Sequence, residues 1–161
     1  MKTHCTLITL LAFIAVAILL LVIIQGSLYA DKAINTPPDP SSILEQYDTH
    51  FSDINTVATF LKEAPYRSIY ITDSSGSAWA DFSNIQLEQS VFKAVKRLRD
   101  SGFYIKFMKS DNVIWFLQWT GTKNISCGIA YSIVKATLPS NEYFTASYEI
   151  KDGWYYYISE S

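Results

Sequence analysis

The sequence predicts an α+β protein in which an N-terminal transmembrane helix precedes a mainly antiparallel sheet of about five to seven strands, packed against about two or three helices. Residues 7–24 form an 18-residue run in which only Thr9 is not apolar, and this run predicts the membrane helix. Apolar residues spaced three and four apart predict the later helices, and short alternating segments predict the strands. The predicted order is α-β-β-α-β-β-β-β-β.

The composition is that of a folded chain without a nucleic-acid partner. Of the 161 residues, 49% are hydrophobic and 17% are charged, which excludes a disordered chain. The net formal charge is −2. Because phosphate binding needs a cationic surface that releases counterions, this charge weighs against a nucleic-acid binder.

Residues 1–30 are predicted to be a transmembrane anchor or a signal peptide. At about 1.5 Å per residue, residues 7–24 reach roughly 27 Å, close to the thickness of about 30 Å of a bilayer's hydrocarbon core. Cleavage near Ala30 is the alternative, although Leu28 is larger than the residue preferred at its position. Both interpretations place the C-terminal domain outside the cytoplasm. We therefore expect a single-pass membrane protein with a cytoplasmic N-terminus, or a secreted protein if the segment is cleaved.

Residues 31–41 are predicted to be a proline-rich stalk, and residues 42–161 an extracytoplasmic α+β domain. Ser42 and Glu45 have the spacing of a capping box, which predicts a helix over 42–64. A second cap at Ser52 and Asp53 would divide this segment into two helices, and the sequence leaves both possibilities open.

Beyond Pro65 the pattern of apolar residues has a period of two. It predicts strands over 67–72 and 77–82, joined by a turn at 73–76. Ser83 and Gln86 repeat the capping-box spacing and predict a helix over 86–100, which carries one apolar stripe of Leu87, Val91, Val95 and Leu98.

The remaining segments predict five strands connected mainly by short links, which is typical of an antiparallel sheet. Asp152-Gly153 is the strongest hairpin signal in the chain. In three of the strands every second residue is apolar, and this alternation predicts one buried face for each. The predicted buried residues are Phe103, Ile105 and Phe107 in the first of these strands, Ile125, Cys127, Ile129, Tyr131 and Ile133 in the second, and Phe144, Ala146, Tyr148 and Ile150 in the third. The five predicted strands span 103–109, 113–120, 125–135, 143–150 and 154–159.

This order of elements resembles extracytoplasmic sensor domains of the PAS/Cache type and cone-shaped NTF2-like domains. No motif accompanies the resemblance, so it implies no site residues. It implies an alternative function as a small-molecule sensor or carrier, with a pocket between sheet and helices.

Residues suited to catalysis are sparse, and we expect neither an enzyme nor a cofactor or metal site. Histidine occurs only at His4 and His50, and the chain has no CxxC, HExxH or GxSxG motif. Cys127 lies in an alternating apolar segment and is interpreted as a buried small hydrophobe. Asp81 shares a predicted strand face with Trp79, and a carboxylate beside an aromatic ring is able to bind sugar. However, Asp73 and Asp81 also fit turn and strand-end roles.

Two surfaces remain as candidates for binding. Lys93, Lys96 and Arg97, with Arg99, form a basic patch that fits an acidic partner or a solvated helix face. Aromatic residues are concentrated beyond the membrane segment and are typical of protein contact surfaces. The sequence therefore predicts a membrane-anchored binding module with a protein partner, of envelope or immunity type. Trp115 and Trp119 are predicted to share one face of their strand. The candidate binding surface comprises Trp79, Trp115, Trp119, Trp154, Tyr155, Tyr156 and Tyr157.

Overall fold

The computed structural model describes residues 2–72, 76–102, 104–122, 124–134 and 144–160, without the side chains of 2–13, 33, 144 and 146. The chain forms two compact units, Met1–Thr36 and Pro37–Ser161. The described residues contain three helices and one eight-stranded antiparallel sheet. The predicted α+β class and antiparallel sheet are confirmed, and the sheet has more strands than the predicted number.

The first unit is one long helix, α1, spanning Lys2–Asn35. Its stretch Ile14–Lys32 is long and apolar enough to cross a membrane, a property that anchors and signal sequences share. The helix continues into the predicted stalk because no proline occurs before Pro37, and the Asn35 side chain donates a hydrogen bond to the Asp31 carbonyl. The predicted extended conformation is therefore wrong for residues 31–35.

The second helix, α2, spans Pro40–Glu63 without interruption. Its N-cap is Asp39, whose carboxylate accepts hydrogen bonds from the Ser41 amide at 2.8 Å and the Ser41 hydroxyl at 2.7 Å. The predicted start at Ser42 is wrong because Pro40 is tolerated in the first helical turn, where its missing N–H would have no partner. The division at Ser52 is not found.

The sheet has the strand order β3-β2-β1-β4-β5-β6-β8-β7, and all neighbouring strands are antiparallel. The four strands β1 to β4 are short, and β5 to β8 are seven or eight residues long. The bounds are β1 Ser68–Ile71, β2 Ser77–Ala80, β3 Ser83–Gln86, β4 Lys106–Ser110, β5 Val113–Thr120, β6 Ile125–Ser132, β7 Phe144–Lys151 and β8 Trp154–Glu160.

Strand β3 lies where the sequence predicts the start of a helix. Asp81 and Phe82 have positive φ angles of 37° and 78°, and this pair forms a two-residue hairpin loop between β2 and β3. The third helix, α3, therefore begins later and spans Gln89–Asp100. The predicted capping box at Ser83 and Gln86 is wrong, because tertiary pairing with β2 outweighs a local spacing signal.

Helices α2 and α3 pack together on one face of the sheet and bury one core there. Three residues of the stripe predicted for α3, Val91, Val95 and Leu98, lie in the helix and are buried, as predicted. The fourth, Leu87, precedes the helix. Cys127 and Ile129 of β6 are buried in the same core, as predicted. Ile105 is not, because β4 begins only at Lys106. The predicted partners Phe103, Phe144 and Ala146 lie outside the described side chains.

A β-bulge in β5 changes which side chains face the core. Leu117 pairs with Gly128 and Trp119 pairs with Cys127, so Gln118 is an extra residue in β5. Trp115 pairs with Ala130, three residues away from Cys127 in β6. Because side chains alternate along a strand, Trp115 and Trp119 lie on opposite faces of the sheet, and the prediction that they share a face is wrong.

Candidate functional site

Two of the predicted surface aromatics belong to the core. Trp154 is 5% exposed, and its ring centroid lies 5.5 Å from that of Tyr47, 5.7 Å from that of Phe116 and 5.0 Å from that of Tyr131. Tyr156 is also buried in this core. These residues lie under α2 because they occupy the helix-covered face of β8, so we remove them from the candidate binding surface.

The alternate residues of β8 lie on the opposite face. Tyr157 is only 3% exposed and packs with Val113 and Ala130 in a second cluster, to which Trp115 and Tyr155 are partly buried neighbours. The Trp115 and Tyr157 rings meet edge to face at 5.0 Å. Trp119 packs against the main core. Six of the seven predicted residues are therefore divided between two clusters. The seventh, Trp79, belongs to neither cluster and is the most accessible of them at 48% exposed.

The predicted basic patch is largely paired within the chain. Arg97 donates two hydrogen bonds to Asp53 of α2, at 2.9 Å and 2.5 Å. Lys96 pairs with Asp100 at 2.6 Å, one helical turn away. Arg99 donates to the Thr72 carbonyl. These contacts assign the patch mainly to helix docking and to the helix surface, which matches the solvated-face interpretation.

The hairpin loop next to Trp79 carries the most exposed large apolar side chain among the described residues. Phe82 is 92% exposed and follows Asp81 in the loop. A positive φ is unusual for a bulky residue and is a candidate sign of function. Asp81-Phe82 is not a typical turn signal, because it lacks the glycine that two-residue hairpin loops favour. Only the Asp, which tolerates a positive φ better than most residues, hinted at a turn.

Asp81 fixes this loop to the start of β1. Its two carboxylate oxygens accept hydrogen bonds from the backbone amides of Arg67 and Ser68, each at 2.8 Å. The Arg67 side chain donates in turn to Asp111 through Nε at 2.5 Å. The loop is therefore held by three residues from two other parts of the chain, and Phe82 projects from a tethered turn.

These residues surround a surface cleft of about 450 Å³, which we call the hairpin-tip cleft. Tyr70 and Trp79 are direct cross-strand neighbours on its aromatic side. Lys106 lies 5.1 Å from the Tyr70 ring centroid, a cation–π distance. The cleft is lined by Arg67, Ser68, Tyr70, Trp79, Asp81, Phe82 and Asp111.

The hydrogen bonds set the charge states in the cleft. The amides of Arg67 and Ser68 lower the pKa of Asp81 from its ordinary value of 3.8, because they stabilise the ionised carboxylate. The hydrogen bond to Asp111 raises the pKa of Arg67. Both groups are charged at neutral pH, so the cleft offers aromatic rings beside fixed charges of both signs. This combination is suited to binding rather than to proton transfer.

Replacing Asp81 by asparagine is expected to destabilise the domain in a pH-dependent manner. A carboxylate whose pKa is lowered by folding stabilises the folded state above its unfolded pKa, and this contribution is lost as the pH falls through the folded value. The denaturation midpoints of wild type and Asp81→Asn should therefore differ at pH 6 and converge below pH 3.8, the ordinary pKa. A difference that stays constant from pH 6 down to about pH 2 would contradict the role of the carboxylate charge.

The other predicted chemistry finds little geometric support. Asp73 lies outside the described residues, so its distance to Asp81 is not defined. Among the described residues, no group of three His, Cys, Asp or Glu side chains is arranged to hold a metal ion. Cys127 is buried, and burial raises the pKa of its thiol to about 12. This agrees with the interpretation of Cys127 as a small core residue.

A second cleft lies at the other edge of the sheet, and we call it the β7 groove. It has a volume of about 530 Å³ and lies between the first half of α2 and β7. Tyr148 stands at its wall and is 62% exposed, with its ring stacked on Tyr156 at 6.2 Å. The groove is lined by Pro40, Leu44, Tyr47, Asp48, Tyr148, Glu149, Ile150, Lys151 and Tyr156.

Comparisons of the chain with protein-family models, with curated proteins and with solved structures found no match. Function must therefore be inferred from the residues of this chain and their geometry. The hairpin-tip cleft combines exposed aromatic rings, fixed charges and a tethered loop with positive φ angles, and it is the candidate site with the most specific geometry.

Proposed function

We propose that the protein is a membrane-anchored, extracytoplasmic binding module that recognises a protein partner through the hairpin-tip cleft. The observation that carries the proposal is Phe82, a large apolar side chain that is 92% exposed at the end of a tethered hairpin. Trp79 and Tyr70 extend the aromatic surface behind it.

The energetics of this loop favour a role for Phe82 outside the fold. A left-handed backbone costs a non-glycine residue about 1–2 kcal/mol. Because the Phe82 side chain is exposed, its burial within the fold does not offset this cost. Covering such a side chain with a partner contributes about 1.5–3 kcal/mol. The hydrogen bonds from Arg67 and Ser68 to Asp81 hold the loop in one conformation before binding, so little conformational entropy remains to be lost.

The composition of the cleft fits a protein contact. Tryptophan, tyrosine and arginine are the residues most enriched among those that dominate protein–protein binding energy, and Trp79, Tyr70 and Arg67 all line the cleft. The hairpin-tip cleft and the β7 groove both lie at the surface, while Ile54, Leu61 and Phe107 are fully buried between the helices and the sheet. These features favour a protein over an enclosed small molecule.

The proposal is tested by placing a photo-crosslinking amino acid at position 82 of the full chain in its native cells. We expect irradiation to give a discrete crosslinked protein, and the yield to fall at least tenfold in a Trp79→Ala background. Ile105 is the matched control position, because it is an apolar residue that is 45% exposed and lies outside the cleft. The same probe at 105 should give no such product.

The absence of any protein product at position 82, in cells where the chain is folded and membrane-associated, would contradict the proposal. Equal products at positions 82 and 105 would also contradict it, because they would show collision without a defined site.

A further inference from the structure

We infer that the protein partner contributes an extended strand that pairs with the free edge of β3 and directs a lysine or arginine side chain toward the helices. The inference rests on the proposed function and specifies the chemistry of its partner. Two observations carry it. The edge strand beside Phe82 has backbone groups that point outward, and the cleft next to this strand is lined by carboxylates without a cation.

The outer edge of β3 has backbone groups directed away from β2. β3 is the first strand in the sheet order, so within the described sheet it has a neighbour on one side only. The Leu87 amide donates to the Gly76 carbonyl at 2.8 Å, and the antiparallel hydrogen bonds alternate from there along β3. The N–H and C=O groups of Asn84 and Gln86 therefore point to the open side. No backbone group of the described residues bonds to them there, so they are in position to bond to an added strand.

Neither charge nor a β-bulge protects the edge of β3. Residues 83–86 include no charged residue and no proline, and their register with β2 is continuous. At the opposite edge of the sheet, β7 has two register shifts and carries the charged residues Glu149 and Lys151. Charges and bulges at an edge oppose pairing with another chain. The added strand is therefore expected at β3 and not at β7.

A strand on this edge extends the aromatic surface of the hairpin-tip cleft. Tyr70 pairs with Trp79, and Trp79 pairs with Asn84, so the three side chains form a row on one face of the sheet. A partner residue opposite Asn84 continues this row. Phe82 is the loop residue directly before β3, so the same contact passes beside it.

The other face of the added strand meets a cleft, which we call the β3 cleft. It has a volume of about 620 Å³ and lies between β3, the C-terminal half of α2 and the start of α3. Ile85 is on this side of β3, because its side chain packs against the main core. The β3 cleft is lined by Asn55, Thr56, Thr59, Phe60, Glu63, Ala64, Pro65, Tyr66, Ile85, Gln86, Glu88, Ser90 and Val91.

The β3 cleft has the groups that a long basic side chain needs. Phe60, Tyr66 and Ile85 give it a partly buried apolar lining. Glu63 and Glu88 are exposed, and neither forms an ion pair with another described residue. No lysine, arginine or histidine lines the cleft.

The position opposite Ile85 is the place for this basic side chain. Because side chains at opposing positions share a face of the sheet, a partner residue opposite Ile85 points to the helix-covered side. There its aliphatic stem covers the apolar lining, and its cation reaches the carboxylates of Glu63 and Glu88. The four residues of β3 pair with only a short segment, so this side chain supplies specificity that main-chain hydrogen bonds lack.

The first test measures the photo-crosslinked product from p-benzoylphenylalanine at position 82 of the full chain, in native cells, with a second substitution in β3. Asn84→Pro removes the outward N–H and keeps the bonds between β2 and β3, since edge strands tolerate proline where the N–H faces outward. We expect the product to fall by about tenfold or more, because a carbonyl of the partner loses its donor. Asn84→Ala is the matched control, since it removes the same side chain and keeps the N–H. Its product should stay within about twofold of wild type.

The second test reverses the charge of the β3 cleft. Glu63→Lys combined with Glu88→Lys should lower the product from position 82 by about tenfold or more, because the cleft then repels a cation. Glu45→Lys combined with Glu149→Lys is the matched control, with the same net charge change at exposed positions outside the β3 cleft. It should leave the product unchanged. Equal losses in the two double variants would contradict the basic side chain.

Mapping of the crosslinked peptides tests the added strand without any substitution that could disturb folding of β3 by proline. Probes at positions 82, 84 and 86 should all join one segment of the partner of about ten residues or fewer, the usual length of a strand, and this segment should contain a lysine or arginine. Products from unrelated segments of the partner would overturn the inference, also where a changed near-UV circular dichroism spectrum shows that Asn84→Pro does not fold.

The outcomes separate this inference from the proposed function. If position 82 gives a protein product and a folded Asn84→Pro variant does not reduce it, the added strand is wrong and the proposed function stands. If position 82 crosslinks to no protein, the proposed function is wrong, and the inference that rests on it is wrong as well.

Discussion

Replacing Trp154 by alanine is expected to lower the free energy of unfolding by about 3–5 kcal/mol, the usual cost of removing a buried large aromatic side chain. Trp154 is 5% exposed and packs between Tyr47 of α2 and Phe116 and Tyr131 of the sheet. Its loss leaves a cavity between α2 and the sheet. Urea denaturation of the full chain in detergent, followed by near-UV circular dichroism, measures the change.

The matched control is Trp79→Ala, which removes the same side chain from an exposed position. Trp79 is 48% exposed, so its removal should change the free energy of unfolding by less than about 1 kcal/mol. It should instead reduce crosslinking from position 82. Similar losses of stability in the two variants would contradict the division of the aromatic residues into core and recognition surface.

Replacing Gly128 by alanine is expected to lower the free energy of unfolding by about 3 kcal/mol, at the upper end of what overpacking usually costs. A Cβ at this position would lie 2.0 Å from the Phe116 carbonyl oxygen and 3.1 Å from the Gln118 nitrogen. Both neighbours are backbone atoms of the bulged segment of β5, which cannot rotate away as a side chain would. The same denaturation experiment gives the value.

Gly102→Ala is the control for Gly128→Ala, since it separates steric conflict from backbone conformation. A Cβ at Gly102 would meet nothing within 4 Å, but the φ of 76° is unfavourable for alanine. Its expected cost is about 1 kcal/mol, from the left-handed conformation alone. If Gly128→Ala cost no more than Gly102→Ala, the close approach at the bulge would not be a rigid feature of the sheet.

Much of the fold follows from local patterns in the sequence. The apolar spacing along 42–64 marks the buried face of α2, and Val91, Val95 and Leu98 mark that of α3. Alternation around Cys127 marks the core face of β6. These signals are reliable because each depends on one period and one buried side.

The errors arise where a long-range contact decides the local structure. Ser83 and Gln86 have the spacing of a helix cap, yet they bound β3 because pairing with β2 satisfies their backbone. Trp115 and Trp119 alternate in the sequence, yet one extra residue, Gln118, turns them to opposite faces. A period-two pattern cannot reveal a β-bulge, because it assumes that successive residues of a strand alternate between the two faces without an extra residue.

The candidate site could be predicted only in part. Trp79 and Asp81 attract attention as an aromatic residue beside a carboxylate, and the structure places both in the hairpin-tip cleft. Phe82 could not be recognised, because its exposure depends on a loop that Asp81 fixes through Arg67 and Ser68, thirteen and more residues away. Trp154 and Tyr156 were predicted to lie on the binding surface, but they are buried in the core. The run of four aromatic residues, 154–157, does not show which face of β8 the helices cover.

The central claim is that Phe82 is a contact for a protein partner, and photo-crosslinking from position 82 in native membranes tests it most directly. The account predicts a discrete protein product from position 82, lost in the Trp79→Ala background and absent from position 105. A chain that is folded and membrane-associated but gives no protein product from position 82, or the same products from 82 and 105, would contradict it.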